Sequence, residues 1–356
     1  RGRRMRDQFG WRRPFERRAL LPGPLKFVDD DTRSPFDTDY NNFSPRVGFA
    51  WAINEKSSIR SGAAILYSLS RATVFGHTGS GFTTNSQVPW TLDSSATRNA
   101  TLANPYPQGL LIPPGSSLGE NTFLGLGAGT ISRDNMNPEM YSWNFSIQRE
   151  LPWQSVLETN YTGSRGVHLL IANTSLSMLD PQYWSLGRTT LQAFVPNPFY
   201  GQITNPQAVN LNQPTVQRYR LLQGRPDFQS ASRSEPNGGD SVYHALQMKW
   251  EKRFSDGVNI LTHYTWSKMI DNASVSSGNV TWLGGTTSMQ NPMNYDLERS
   301  LSAHDIPHRF VATGSWGLPF GTNRKFGQNS NRLIDAFIGG WEISGVLTLQ
   351  SGMPVA

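Results

Sequence analysis

Along this chain apolar and polar residues alternate with a period of two in about eight stretches, the mark of strands with one apolar and one polar face. Val47, Phe49, Trp51 and Ile53 alternate with Gly48, Ala50 and Ala52; beyond the turn Asn54-Glu55-Lys56-Ser57, Ile59, Ala63, Ile65 and Tyr67 alternate with Ser58, Arg60, Gly62 and Ala64. These two runs predict a hairpin. A second pair sets Tyr141, Trp143, Phe145 and Ile147 against Ser142, Asn144, Ser146 and Gln148, turns around Leu151-Pro152-Trp153-Gln154, and returns through Leu157, Thr159 and Tyr161 against Glu158 and Asn160. In the third, Leu246, Met248 and Trp250 alternate with Gln247, Lys249 and Glu251, and Val258, Ile260, Thr262, Tyr264 and Trp266 alternate with Asn259, His263 and Thr265. Ser255-Asp256-Gly257 joins them, and Asp-Gly between two alternating runs is a strong hairpin cue. The fourth pair runs Phe310, Ala312, Trp316 and Leu318 against Val311, Thr313 and Ser315, then Trp341, Ile343, Leu347 and Leu349 against Glu342, Ser344, Thr348 and Gln350. Its connection, 319–339, exceeds a tight turn, and Leu333 to Ile338 predicts a short helical piece.

The links within the first three pairs are about four residues, whereas between pairs the chain runs through 68–139, 164–241 and 269–307, well beyond the usual loop of roughly 4 to 6 residues. These long segments are rich in Gly, Pro, Asn, Ser and Thr and read as irregular excursions, with room for small strands. Short turns and long loops strictly alternate. In an antiparallel barrel all short turns then fall at one end and all long loops at the other, the asymmetry of outer-membrane barrels with short periplasmic turns and long extracellular loops. The expected fold is therefore all-β, an antiparallel transmembrane β-barrel fragment.

Alternation alone also suits a soluble sandwich. The residues on each face separate the two. Aromatics gather in the strands, mostly near their ends, as girdles at two lipid interfaces require; Phe49, Trp51, Trp143, Phe145, Trp250, Ile260, Tyr264, Trp266, Phe310, Trp316, Trp341 and Leu347 are the expected lipid-facing or interfacial positions. The opposite positions Arg60, Gln148, Glu158, Lys249, Glu251, His263 and Glu342 suit a wet lumen, because unpaired charges in a dry core cost several kcal/mol each, an order of magnitude.

Composition sharpens this picture. Charged residues are 16% of the 356, aromatics are 11%, Cys is absent and mean hydropathy is −0.46. Low charge with many aromatics does not suit a disordered chain, and the lack of Cys excludes disulfides, thiolate metal sites and Cys nucleophiles. No apolar run approaches the roughly 18 residues of a membrane helix, a test that barrels escape. The formal net charge of +6 comes from residues 1–18, where eight arginines face Asp7 and Glu16, leaving 24 basic and 24 acidic residues in 19–356. A body without net charge lacks the basic surface that displaces counterions from a duplex, so no nucleic-acid partner is expected. Because the arginine run is not followed by an apolar segment, no signal peptide is visible, and the sequence reads as a stretch of a longer chain.

Residues with catalytic or ligand chemistry are few. His304 and His308 have a spacing that ligates metal on a helix, but Pro307 and the following strand argue against one. No Gly-x-Ser-x-Gly elbow occurs, so no enzyme activity is expected. Gly125-Leu126-Gly127-Ala128-Gly129 lacks the Lys-Ser/Thr of a phosphate loop and reads as a flexible loop. No cofactor or metal is expected. Loop residues Tyr106, Tyr183, Trp184, Phe199, Tyr200, Trp282 and Tyr295 either stack on a ligand or pack the loops together.

Five blocks in order, Asn41 to Trp51, Trp143 to Pro152 with Tyr161 to Leu170, Tyr243 to Lys268, Asp305 to Phe310 and Gly339 to Pro354, resemble the barrel of TonB-dependent receptors of the Oar-like type, abundant in Acidobacteria. The resemblance covers most of 40–356, the expected partial barrel, and leaves 1–39 as a basic, unassigned segment. It implies a 22-stranded outer-membrane barrel, a plug, and a TonB box recruiting the TonB energising complex; plug, box and C-terminal strands are not matched in this sequence. The implied partners are outer-membrane lipid, TonB and an extracellular ligand such as a glycan or peptide. Two other readings stay open: a self-contained passive barrel or adhesin, and a soluble glycan-binding β-protein.

Overall fold

The structure is a computed structural model describing residues 27, 29–31, 37, 39–68, 81–86, 88–89, 91, 97–131, 136–171, 174–203, 208, 210–234, 237–255, 257–272, 290–291, 294–322, 324–329 and 331–354. The arginine run, Asp256 and Trp282 lie outside them.

Eight strands form one continuous antiparallel path in sequence order: β1 (Arg46–Asn54), β2 (Ser57–Tyr67), β3 (Glu139–Leu151), β4 (Ser155–Leu169), β5 (Gly239–Ser255), β6 (Val258–Asp271), β7 (His308–Gly317) and β8 (Glu342–Gln350). A two-residue strand, Ser300–Leu301, pairs beside β6. Each strand bonds only to its neighbours in sequence, so the sheet is a pure meander, and every expected strand is present. Asn54 is opposite Ser57, Leu151 opposite Ser155 and Ser255 opposite Val258, so the first three hairpins close tightly. Gly257 makes the third possible with a φ of 78°, a left-handed conformation open to Gly without strain. The fourth connection holds a short helix, Arg332–Ile338, whose N-cap Asn331 accepts from the Ile334 amide.

Several strands outrun the alternation that announced them. β4 continues through Gly163-Ser164-Arg165-Gly166 to Leu169, and β5 begins at Gly239, because each is hydrogen-bonded along both edges and pairing overrides the low strand preference of Gly and Ser. Trp153, placed by sequence near a strand end, sits in the turn itself with φ 61° and is 82% exposed.

Among the described residues the long connections carry small strands of their own within otherwise irregular chain. The chain divides into two compact units: Thr38–Ser70, Met136–Ala172 and Asn237–Ala356 hold the eight-stranded sheet, and the described residues of Arg71–Asn135 and Asn173–Pro236 form the second. The second unit has its own three-stranded sheet, in which Gly127–Ile131 pairs in parallel with Ser230–Ser234. Its apolar core gathers Leu124, Phe199, Ile203, Leu211, Phe228 and Ala231. Gly125 lies so close to Ala208 and Ile203 that a Cβ there would approach them at 2.5 and 2.6 Å, so the glycine-rich stretch is a packed strand entry and not a flexible loop. Asn197 is buried and bonds the Leu211 and Gln213 carbonyls and the Phe199 amide, closing the turn beneath Phe199. Arg225 meets the buried Asp227 at 2.6 Å and lies 4.7 Å over the Phe228 ring.

At the ends of the wall strands away from the short turns, side chains satisfy backbone groups that the ladder leaves over. Asn237 donates to the carbonyls of Met136 and His168 and accepts from the Met136 amide. Asn272 does the same for Gly238 and Asp240. The buried Asp305 accepts from the Met269 amide at 2.6 Å.

Inside the sheet, Gly163 faces Trp143 directly, and the indole occupies the space of the missing side chain: a Cβ would come within 2.5 Å of the ring. Gly163→Ala is expected to displace the indole and destabilise the sheet by about 1–3 kcal/mol, as overpacking does. Denaturant unfolding in detergent micelles measures this, and an unchanged midpoint contradicts it.

Candidate functional site

Register sorts the wall into two faces, because directly opposed residues share a face and successive residues alternate. One row runs Trp51, Ile59, Ile147, Thr159, Met248, Tyr264, Phe310, Leu349 across all eight strands. The row one residue away runs Ala52, Ser58, Gln148, Glu158, Lys249, His263, Val311, Thr348. Extending the rows puts Phe49, Trp51, Trp143, Phe145, Trp250, Ile260, Tyr264, Trp266, Phe310, Trp316 and Leu347 on a single, apolar face. Trp341 falls just before β8; its carbonyl accepts from the Leu318 amide at 2.8 Å, and its indole donates to Phe337. Arg60, Gln148, Glu158, Lys249, Glu251, His263 and Glu342 all share the other, polar face.

The apolar face is largely uncovered, with Phe49 58%, Trp266 57% and Leu347 52% exposed. A soluble sandwich packs this face into a core. Its charges lie only at the margins: on β3, Glu139 and Arg149 bracket Tyr141, Trp143, Phe145 and Ile147. Ten residues of strand rise ~33 Å, and a tilt of roughly 40° makes that ~25 Å across a membrane, the height of an outer-membrane apolar band. Aromatic residues line the band. Tyr161 and Tyr264 each stack on a histidine of the next strand and bond its Nδ1, Tyr161 with His244 at 2.8 Å and Tyr264 with His308 at 2.9 Å. His308 is thus engaged with Tyr264, while His304 lies outside the strand and its amide donates to Ser302. No group of three metal-ligating side chains occurs among the described residues.

On the polar face, side chains pair across and along strands. Asn160 donates to Gln247 at 3.0 Å, and Lys249 lies 3.2 Å from Glu251 with Glu158 and His263 opposed to it on either side. Exposed pairs of this kind contribute only about 0–1 kcal/mol. They make a surface of donors, acceptors and both signs of charge.

Of the loop aromatics, Phe199 is a core residue of the second unit, whereas Trp184 and Tyr200 are 58% and 55% exposed. Sequence reasoning missed the clamps at the strand ends and the carboxylate of Asp240, which takes Arg165 at 3.4 Å and Arg299 at 2.9 Å. Asp305 belongs to the block Asp305 to Phe310, so a signal for one clamp was on view; the asparagines carry none, since their bonding partners are distant backbone groups.

A family model described as outer membrane beta barrel domain matches residues 7–356. No curated protein matches the chain. Among solved structures it is similar to the outer membrane transporter YddB from Escherichia coli, at 11% identity and a TM-score of 0.39 over 77% of this chain and 26% of that one. It is similar also to the FrpB iron transporter from Neisseria meningitidis, at 9% identity and a TM-score of 0.34 over 80% and 25%. A third is the structure of the FpvAI-pyocin S2 complex, at 12% identity and a TM-score of 0.30 over 78% and 21%. The chain spans about a quarter of the length of these proteins. The family match over nearly its whole length, on a meander with one apolar and one polar face, identifies the chain as a member of the outer membrane β-barrel domain family, a protein of the outer membrane and not an enzyme.

Proposed function

We propose that the apolar face meets lipid, the polar face lines a wet lumen, and the chain supplies part of the wall and extracellular loops of a TonB-dependent receptor that imports a large nutrient, a glycan or peptide. Ligand would bind the extracellular loops, and TonB, acting through a plug and TonB box, would open the path along the polar face. The Oar-like resemblance points to this class. The observation that carries it is the open sheet: among the described residues β1 pairs only with β2, and β8 only with β7. In hydrocarbon each unpaired backbone group costs several kcal/mol, so further strands would complete the barrel, which favours a large receptor over a passive barrel of eight strands. Family membership sets aside the soluble glycan-binding reading.

Uptake by the full-length parent protein in cells with and without TonB tests the transport reading. Uptake is expected to disappear without TonB; uptake that persists unchanged supports a passive barrel instead. Substitutions on the two faces of β3 test the assignment. Phe145→Arg, central in the band, is expected to cost about 2–4 kcal/mol, while Gln148→Arg, opposite Glu158, stays within about 0.5 kcal/mol. Unfolding from liposomes measures both, and equal costs contradict the assignment.

A further inference from the structure

The connection between β7 and β8 differs from the three tight turns beside it. Trp316 is opposed to Val258, the first residue after the third turn, so residues 319–341 stand at the short-turn end of the sheet, yet they carry the helix Arg332–Ile338. At 3.6 residues per turn, Leu333, Ile334, Phe337 and Ile338 fall within one arc of about 140°, and Arg332, Asp335 and Ala336 fall opposite. Asp335 is tied to its own connection, accepting from the Thr322 amide. The apolar arc is left uncovered by the described residues, with Leu333 75% and Phe337 79% exposed.

The helix is held to one side of the wall. Gly317 opposes Glu342, and the Leu318 amide donates to the Trp341 carbonyl at 2.8 Å, which extends the register of β7 and β8 by one pair. Trp341 thus has the parity of Ile343 and Leu347, that of the apolar face. Its indole donates to the Phe337 carbonyl at 2.7 Å, near the C-terminal end of the helix. A residue of the apolar face therefore anchors the helix, whose exposed arc continues the band that Trp316 and Ile343 begin. Residues 319–341 also carry Arg324, Lys325 and Arg332 against Asp335, and all three cations are exposed.

We propose that Arg332–Ile338, together with Trp341, lies flat in the phospholipid leaflet at the short-turn end as an interfacial anchor. It holds the fourth connection outward, so that residues 319–341 do not cross the polar face along which a ligand would pass. The inference rests on the reading that the apolar face meets lipid. The occupant is a phospholipid leaflet because the arc is continuous with that face, and because a leaflet offers an acyl boundary to the arc and phosphates to the cations beside it. A protein partner would have to meet the helix where the band already places lipid.

The test uses the full-length parent protein in nanodiscs of phosphatidylethanolamine and phosphatidylglycerol, with single spin labels at positions 333, 336 and 337 read by oxygen and nickel-chelate accessibility. Labels at 333 and 337 are expected to show an oxygen-to-nickel ratio at least about threefold above that at 336, at a depth shallower than position 145. Equal ratios at the three positions overturn the proposal, because the helix then stands in water. Low accessibility of 333 and 337 to both reagents overturns it as well, because another protein segment then covers the arc. A label at 336 leaves the arc native, and in that background Leu333→Ser/Phe337→Ser is expected to raise nickel accessibility about threefold and to free the label's motion. Unchanged spectra overturn the anchor. A label at 145 separates this failure from that of the underlying reading: lipid contact there with 333 and 337 in water removes only the anchor, whereas water contact at 145 removes both.

Discussion

Backbone hydrogen bonding in hydrocarbon is the constraint on which this structure depends. Water cannot satisfy an N–H or C=O inside the bilayer, so each must find a partner within the protein. The meander meets that demand for the six inner strands, with neighbours in sequence also neighbours in the sheet. At strand ends Asn237, Asn272 and Asp305 bond some of the backbone groups that the ladder leaves over. The two faces follow from the same ladder. Because side chains alternate with a period of two, a slip of one residue would exchange the row of Ile147 with that of Gln148, placing Glu158 and Lys249 where Thr159 and Met248 now stand.

Apolar burial plays a different part in each unit. In the long connections it works as in any water-soluble protein, gathering Phe199, Ile203, Leu211 and Phe228 away from solvent. In the wall it is reversed: many bulky apolar residues are exposed, and small residues such as Ala245 and Ser146 are among the buried ones. The sheet holds together through its ladder and through local fits such as Trp143 over Gly163. That is the arrangement that membership of an outer-membrane barrel family calls for.

Alternation makes all eight strands legible in sequence because one face of each is apolar and the other polar. Strand length is less legible. Gly163 to Gly166 resembles a loop until its partners on β3 and β5 are known, and the positions of Arg165 and Lys268 on the apolar face emerge only from those partners. The fold of the long connections is hardest to read. Its core residues are scattered without period over more than a hundred positions, and its central pairing, Gly127–Ile131 with Ser230–Ser234, is parallel and remote in sequence. Phe199 accordingly looks like a loop aromatic available to ligand, and its burial beside Asn197 is a tertiary fact with no local signal.

The central claim is that the face carrying Phe145 meets lipid and the face carrying Gln148 meets water. The 356 residues contain no cysteine, so single-cysteine scanning needs only the replacement by serine of any cysteine elsewhere in the parent protein. Spin labels placed one at a time along Glu139–Leu151 in the full-length parent protein, reconstituted in bilayers, report oxygen and nickel-chelate accessibility. The account predicts accessibilities that alternate with a period of two and opposite phase, with oxygen highest at 143, 145 and 147 and the nickel chelate highest at 144, 146 and 148. Accessibilities that do not alternate, or that alternate with the phases exchanged, would contradict it.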